Sequence, residues 1–213
     1  MSGKSSNEWV TRGLTGVVFV AVVMGAVAWS PWTNAGLWAL VAALAWAEWA
    51  KAPACPEAKF PKALSILFPV PALAALVWLG EAKPYDPWPV LSSLGTIWAN
   101  DTGAFVVGKR FGKHKLAPTV SPGKSWEGTL GGVLASACVA WASWGWEWMW
   151  LGALMGALST TGDLIQSAWK RRRGLKDSGN LLPGHGGVMD RFDGFLIAAP
   201  TYVILWCIFA PEI

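Results

Sequence analysis

Residues 128–168 read GTLGGVLASACVAWASWGWEWMWLGALMGALSTTGDLIQSA, 41 positions without a single Lys, Arg or Pro. A helix crossing a bilayer takes ~20 apolar residues, so this stretch is long enough for two. Trp146-Glu147-Trp148 near its middle is the natural reversal point. Working outward, the two halves (128–145 and 148–168) join five further apolar stretches at 13–30, 35–50, 63–80, 88–107 and 194–210. Each is close to bilayer length. The expected architecture is all-α, a polytopic membrane bundle of about seven transmembrane helices forming a single domain over residues 1–213. Pro31-Trp32-Thr33-Asn34 is read as the tight turn between the first two spans, and Pro69 and Pro71 predict a kink in the third.

Composition agrees. The chain has 213 residues, 54% of them hydrophobic and only 14% charged, with a mean hydropathy of +0.39. That is more apolar than a soluble domain of this size can hide. Seven spans occupy roughly 140 residues, which leaves little room for a separate soluble domain. Intrinsic disorder and a disulfide-stapled module are excluded on the same grounds. Cys55, Cys138 and Cys207 are too scattered for a disulfide framework or a zinc spacing and read as reduced packing residues.

The basic residues give the orientation. With the N-terminus inside, the cytoplasmic segments hold Lys4 and Arg12; Lys51, Lys59 and Lys62; Lys109, Arg110, Lys113, Lys115 and Lys124; and residues 170–173, Lys176 and Arg191. These are 16 of the 17 Lys and Arg residues, with Lys83 alone outside. This bias accounts for the basic pI, so nucleic acid is not needed as a partner. Trp29, Trp32, Trp78, Trp88, Trp144, Trp146, Trp148 and Trp150 gather at the outer ends, as an interfacial belt does. The basic start followed by Ala26-Val27-Ala28 also has the form of a cleavable signal peptide, but cleavage would discard the first span that the loop charges match.

Three carboxylates fall inside the expected spans near their cytoplasmic ends: Glu48, Asp101 and Asp163. Ionisable groups there are costly and mark functional sites by default. Glu48 lies so close to the rim that snorkelling or pairing with Lys51 explains it, whereas Asp101, preceded by Asn100, reads as functional. From Gly162 the chain continues GDLIQSAWKRRRGLKDSGNLLPGHGGVMDRFDG. On a helix Asp163, Gln166, Ser167 and Lys170 share one face, which must look into protein or a watery cavity. The glycines flanking His185 let backbone N–H groups approach a phosphate, and Asp190 and Asp193 can offer hard oxygen ligands to Mg²⁺. The basic run at 170–173 alone signals topology, most plainly for Arg172 and Arg173. The complete order K-R-x4-K-D-x5-P-x-H-G-G-x2-D-R-x-D is far more specific.

That order, from Ser167 to Asp193, resembles the signature of the phosphatidate cytidylyltransferase family, the CDP-diacylglycerol synthases. A second segment is similar to the same family: Asn100-Asp101-Thr102-Gly103-Ala104-Phe105, Phe111-Gly112-Lys113-His114-Lys115-Leu116 and Ser121-Pro122-Gly123-Lys124-Ser125-Trp126-Glu127-Gly128. The resemblance covers about 98–213; the first 90 residues match only as membrane helices, and the chain is short beside typical members. Trp169 stands where the family pattern has an aliphatic residue or Phe, and Gln166 stands where Glu is expected.

The resemblance implies the reaction CTP + phosphatidate to CDP-diacylglycerol + pyrophosphate at the cytoplasmic face of a bacterial-type inner membrane. Asp163, Asp190, Lys176 and Arg191 would be catalytic. Asp101, Lys124, Ser167, Lys170, Arg171 and His185 would contact substrate. Asp163, Asp190 and Asp193 would bind Mg²⁺, with scope for a second, monovalent cation, and a homodimer is compatible with this reading. The alternatives are a cytidylyltransferase for another lipid phosphate, of isoprenoid or archaeal ether type, and a transporter. A transporter predicts polar groups at mid-bilayer and paired repeats, whereas here the polar residues lie at one side. Asp190-Arg191-Phe192-Asp193-Gly194 also begins like a CDP-alcohol phosphotransferase motif, but no later Asp continues it.

Overall fold

The computed structural model describes residues 3–53, 84–179 and 186–209, with side chains from Leu14 onward. The order is α1 (Gly3–Trp29), α2 (Pro31–Lys51), α3 (Trp88–Phe111), β1 (Lys115–Ala117), β2 (Ser121–Ser125), α4 (Trp126–Trp144), a 3₁₀ turn (Trp146–Trp148), α5 (Met149–Arg172), a second 3₁₀ turn (Met189–Arg191) and α6 (Phe195–Phe209). The class is all-α. The expected third span, with Pro69 and Pro71, lies outside the described residues, as do Cys55, Trp78 and Lys83; Cys138 and Cys207 are free and exposed.

The reversal between α4 and α5 falls at Trp146–Trp148, as the sequence suggests, with Gly145 supplying the positive φ of 104° that turns the chain. The first reversal differs. Pro31-Trp32-Thr33-Asn34 is not a loop but the first turn of α2, and the break is confined to Ser30. Ser30 and Thr33 exchange side-chain-to-backbone hydrogen bonds in a capping box, and Pro31 occupies the first helical position, where its missing N–H costs nothing. A second difference is the antiparallel hairpin β1–β2, which pairs Lys115 with Ser125 and Ala117 with Ser121.

Small residues set the helix spacing. A Cβ on Gly103 of α3 would come within 2.8 Å of Ala135 Cβ on α4, and one on Gly152 of α5 within 2.5 Å of Ser136 O on α4. The backbones therefore touch along a small-residue seam. Around it lies an apolar core that includes Val23, Val27, Trp38, Leu94, Ile97, Leu151, Met155 and Phe195. Polar side chains are also buried: Ser93 and Thr96 bond carbonyls one turn back, Ser136 Oγ donates to Thr96 O across α3 and α4, and Asn100 Nδ2 donates to Thr160 Oγ1.

Among the described residues no helix is long and apolar enough to cross a membrane. Length alone is not what fails, since α3 and α5 each have 24 residues, about 36 Å at 1.5 Å per residue. Their inward faces carry Ser92, Ser93, Thr96, Asn100, Ser159, Thr160, Gln166, Ser167 and Lys170, and these lower the hydropathy of each helix as a whole.

Candidate functional site

The last turns of α5 carry the polar stripe. Gln166, Ser167 and Lys170 are buried, and Asp163 lies half-buried on the same face. Ser167 Oγ donates to Asp163 Oδ1 at 3.1 Å, while Lys124 Nζ stands 2.5 Å from Asp163 Oδ2. Local sequence brings Lys124 there. Ser125 ends β2 and caps α4 by accepting from Gly128 N, so the preceding lysine reaches over α5. The hairpin is closed at its base by Glu127, which accepts from the N–H groups of Lys113 and His114 and lies 2.6 Å from His114 Nδ1. Hydrogen bonds from its own N–H, from the His114 ring and from the N–H groups of His114 and Lys113 outweigh desolvation and hold its carboxyl at about 2.

Beyond α5 the signature returns to the stripe. Lys170 Nζ donates to Asp190 Oδ1 at 2.7 Å, and both side chains are more than nine-tenths buried. Asp190 Oδ2 accepts from Ser178 N and Gly187 N at 2.8 and 2.9 Å. Burial works to raise the Asp190 carboxyl, but the Lys170 ammonium and the two N–H groups outweigh it and hold it below the usual carboxylate range. Gly186 has φ +82°, and a Cβ there would also come within 2.8 Å of Asp190 Oδ2. Gln166 Nε2 donates to Met189 O at 3.2 Å, which an ionised Glu could not do. The departure at Gln166 is thus a helix-to-loop tie. Trp169 packs on Trp49 with ring centroids 4.3 Å apart, and the Arg173 guanidinium covers its ring at 4.1 Å.

The remaining expected residues are distributed around this centre. A cavity of about 420 Å³ is lined by Asn100, Asp101, Lys124, Ser125, Thr160 and Asp163, and one of about 270 Å³ by Phe19, Trp98, Asp101, Asp190, Arg191 and Asp193. Asp101 borders both. Lys176 and Arg171 are exposed, Arg171 donating to Leu175 O. His185 lies outside the described residues. Asp163 and Asp190, expected to share one cation, face different lysines. Burial and the neighbouring Asp163 and Asp101 push the Asp193 carboxyl well above its usual range. Among the described residues no group of three or more His, Cys, Asp or Glu side chains is arranged to hold a metal ion.

One participant was misread from sequence. Glu48 is not engaged with Lys51: Oε1 accepts from Val188 N at 2.8 Å, and Oε2 from Met189 N and Ser178 Oγ at 3.1 and 3.2 Å. Its sequence signal is an acid within an apolar helix in the same layer as Asp163; spacing points to Lys51, three residues on, whereas the donors lie 130 to 141 residues away.

Fold and site together define an all-α protein with a mixed-charge polar site whose two cavities share Asp101 as a lining residue. The chain belongs to the cytidylyltransferase family, whose profile matches residues 54–209. It is 40% identical over 158 residues to a phosphatidate cytidylyltransferase of Pseudomonas aeruginosa, covering 67% of this chain and 56% of that protein. It is 42% identical over 124 residues to one from Staphylococcus aureus, covering 54% and 48%, and 42% identical over 118 residues to one from Haemophilus influenzae, covering 50% and 41%. The chain spans about half the length of these curated relatives.

Proposed function

We propose that this chain converts CTP and phosphatidate to CDP-diacylglycerol and pyrophosphate with Mg²⁺, at the cytoplasmic face of a bacterial-type inner membrane. The observation that carries the reading is the folding of the signature segment onto the α5 stripe, which gathers basic side chains and carboxylates beside two cavities that share Asp101. An oxygen of the lipid phosphate attacks the α-phosphorus of CTP in line. The bond from that phosphorus to the oxygen bridging to the β-phosphate breaks, and pyrophosphate leaves with the electron pair. Such a transfer asks mainly for positioning and charge neutralisation. Arg191, on one cavity wall, and the exposed Lys176 and Arg171 can turn toward phosphate oxygens, and Lys124, paired with Asp163, faces the other cavity. The Lys170 charge is committed to Asp190, so Lys170 shapes the site.

The donor set fits a divalent cation at Asp163 and Asp193, with Asp101 adjacent. These are hard oxygen donors, and burial, with Asp163 and Asp101 beside it, raises the Asp193 carboxyl, a cost that a bound cation would offset. Mg²⁺ commonly takes one or two carboxylates and completes its shell with substrate phosphates and water, so a ready cage of three acids is not required. When bound it would neutralise charge on the reacting phosphates. Asp190 fits less well, since its carboxylate is buried against Lys170 and the N–H groups of Ser178 and Gly187, whereas Asp163 is more open and lines the larger of the two cavities.

Membrane residence is supported by where the apolar side chains point. Leu14, Val17, Val18, Phe105, Leu130, Leu134, Trp141, Ile204 and Ile208 are exposed on the helices while the polar residues face inward, the distribution that suits lipid around the bundle. Incubation of purified protein with labelled CTP, Mg²⁺ and a panel of lipid phosphates tests the reaction. Label in CDP-diacylglycerol is expected; exclusive use of an isoprenoid or ether-lipid phosphate, or no transfer at all, would overturn it. Cysteines placed at 113, 124 and 176 are expected to resist an impermeant reagent in intact cells, and labelling at 124 from outside would overturn the one-sided orientation.

A further inference from the structure

We propose that Glu48 is a positioning residue that holds the signature segment in its working shape, so that α2 is part of the catalytic apparatus and not only packing. Glu48 lies before the stretch matched by the family profile. It sits in the last turn of α2 (Pro31–Lys51), where the helix dipole disfavours an anion. What offsets that cost is a set of donors from the far end of the chain: Val188 N, Met189 N and Ser178 Oγ.

Glu48 and Asp190 divide the donors of this segment between them. Ser178 gives its hydroxyl to Glu48 and its N–H to Asp190; Gly187 N goes to Asp190, and the next two N–H groups go to Glu48. The close fit requires glycine twice, because a Cβ on Gly187 would stand 2.5 Å from Glu48 Oε2 and one on Gly179 would stand 2.7 Å from Oε1. Two neighbouring contacts fix the same helix end: Trp49 lies against Trp169, and Arg173 Nε donates to Pro53 O at 3.1 Å. Charge-assisted bonds to backbone N–H groups are the stronger kind. Through them Glu48 sets the path of residues 187–189 and hence the place of Asp190 and Arg191.

The catalytic half of this inference rests on the proposed reaction; the clamp itself does not. Glu48→Gln keeps the size but turns an amide NH₂ toward N–H donors. Turnover and backbone hydrogen exchange are measured on the full chain in detergent for the wild type, Glu48→Gln, Glu48→Asp and, as a control on the same helix end, Lys51→Ala. Glu48→Gln is expected to lower kcat roughly tenfold or more with little change in the KM for CTP. Exchange should rise at 187–189 and not in the α-helices, Glu48→Asp should recover part of both, and Lys51→Ala should match wild type. Unchanged turnover in Glu48→Gln overturns the proposal, as does a rise in exchange spread over the whole bundle. Exchange is read without substrate. If the wild type makes no CDP-lipid, the proposed reaction fails, while a local rise at 187–189 still supports the clamp and its absence still overturns it.

Discussion

Lys170, in the last turn of α5, and Asp190, in the 3₁₀ turn 20 residues later, form a buried ion pair with Nζ 2.7 Å from Oδ1. The pair joins the stripe to the signature segment and makes the site one unit. Removing one partner strands a buried charge, which typically costs 3–5 kcal/mol. Asp190→Asn and Lys170→Met are each expected to lower thermal stability in detergent by about 3 kcal/mol. The double variant should cost less than the sum of the two. Full stability in either single variant would mean that the pair does not hold the segment.

Metal dependence separates the carboxylates. Chelation of Mg²⁺ should abolish CDP-lipid formation. Asp163→Asn and Asp193→Asn should each remove Mg²⁺-dependent turnover with folding kept, and their combination should cost little more than either alone. Titration of Mg²⁺ and Mn²⁺ reads this directly. A wild-type metal requirement in both single variants would refute the assignment.

Lys176 and Arg173 are predicted to differ in kind. Lys176 is exposed next to Asp177 and free to meet phosphate, so Lys176→Ala should lower kcat/KM by on the order of 2 kcal/mol, about 30-fold, at unchanged stability. Arg173 covers the Trp169 ring and bonds Pro53 O, so Arg173→Ala should lower the melting temperature and leave turnover nearly intact. Equal losses of turnover would point to diffuse electrostatics.

The hairpin latch should respond to acid. The Glu127 carboxyl is depressed from its ordinary 4.5 to about 2 by its hydrogen bonds to N–H groups and the His114 ring. A carboxylate with a lowered folded-state pKa contributes its stabilisation fully above about 4.5 and loses it as pH falls through about 2. Exchange of the His114 amide should therefore stay protected at pH 5 and open toward pH 2, and Glu127→Gln should abolish that dependence. Protection that disappears already between pH 7 and 5 would rule the latch out.

The positions of the six described helices, the reversal at Trp146–Trp148 and the polar face of α5 were legible in the sequence because they follow from local periodicity and from the cost of exposing apolar or burying polar groups. Asp163, Ser167 and Lys170 could be assigned to one face from spacing alone. Partner choice could not. Lys124 meets Asp163 because a hairpin carries it there, Asp190 meets Lys170 because the segment folds back, and Glu48 finds its donors 130 to 141 residues away. Spacing constrains which residues can line a helix face. Only the packed chain decides which charge ends beside which, since that depends on contacts summed over several helices at once.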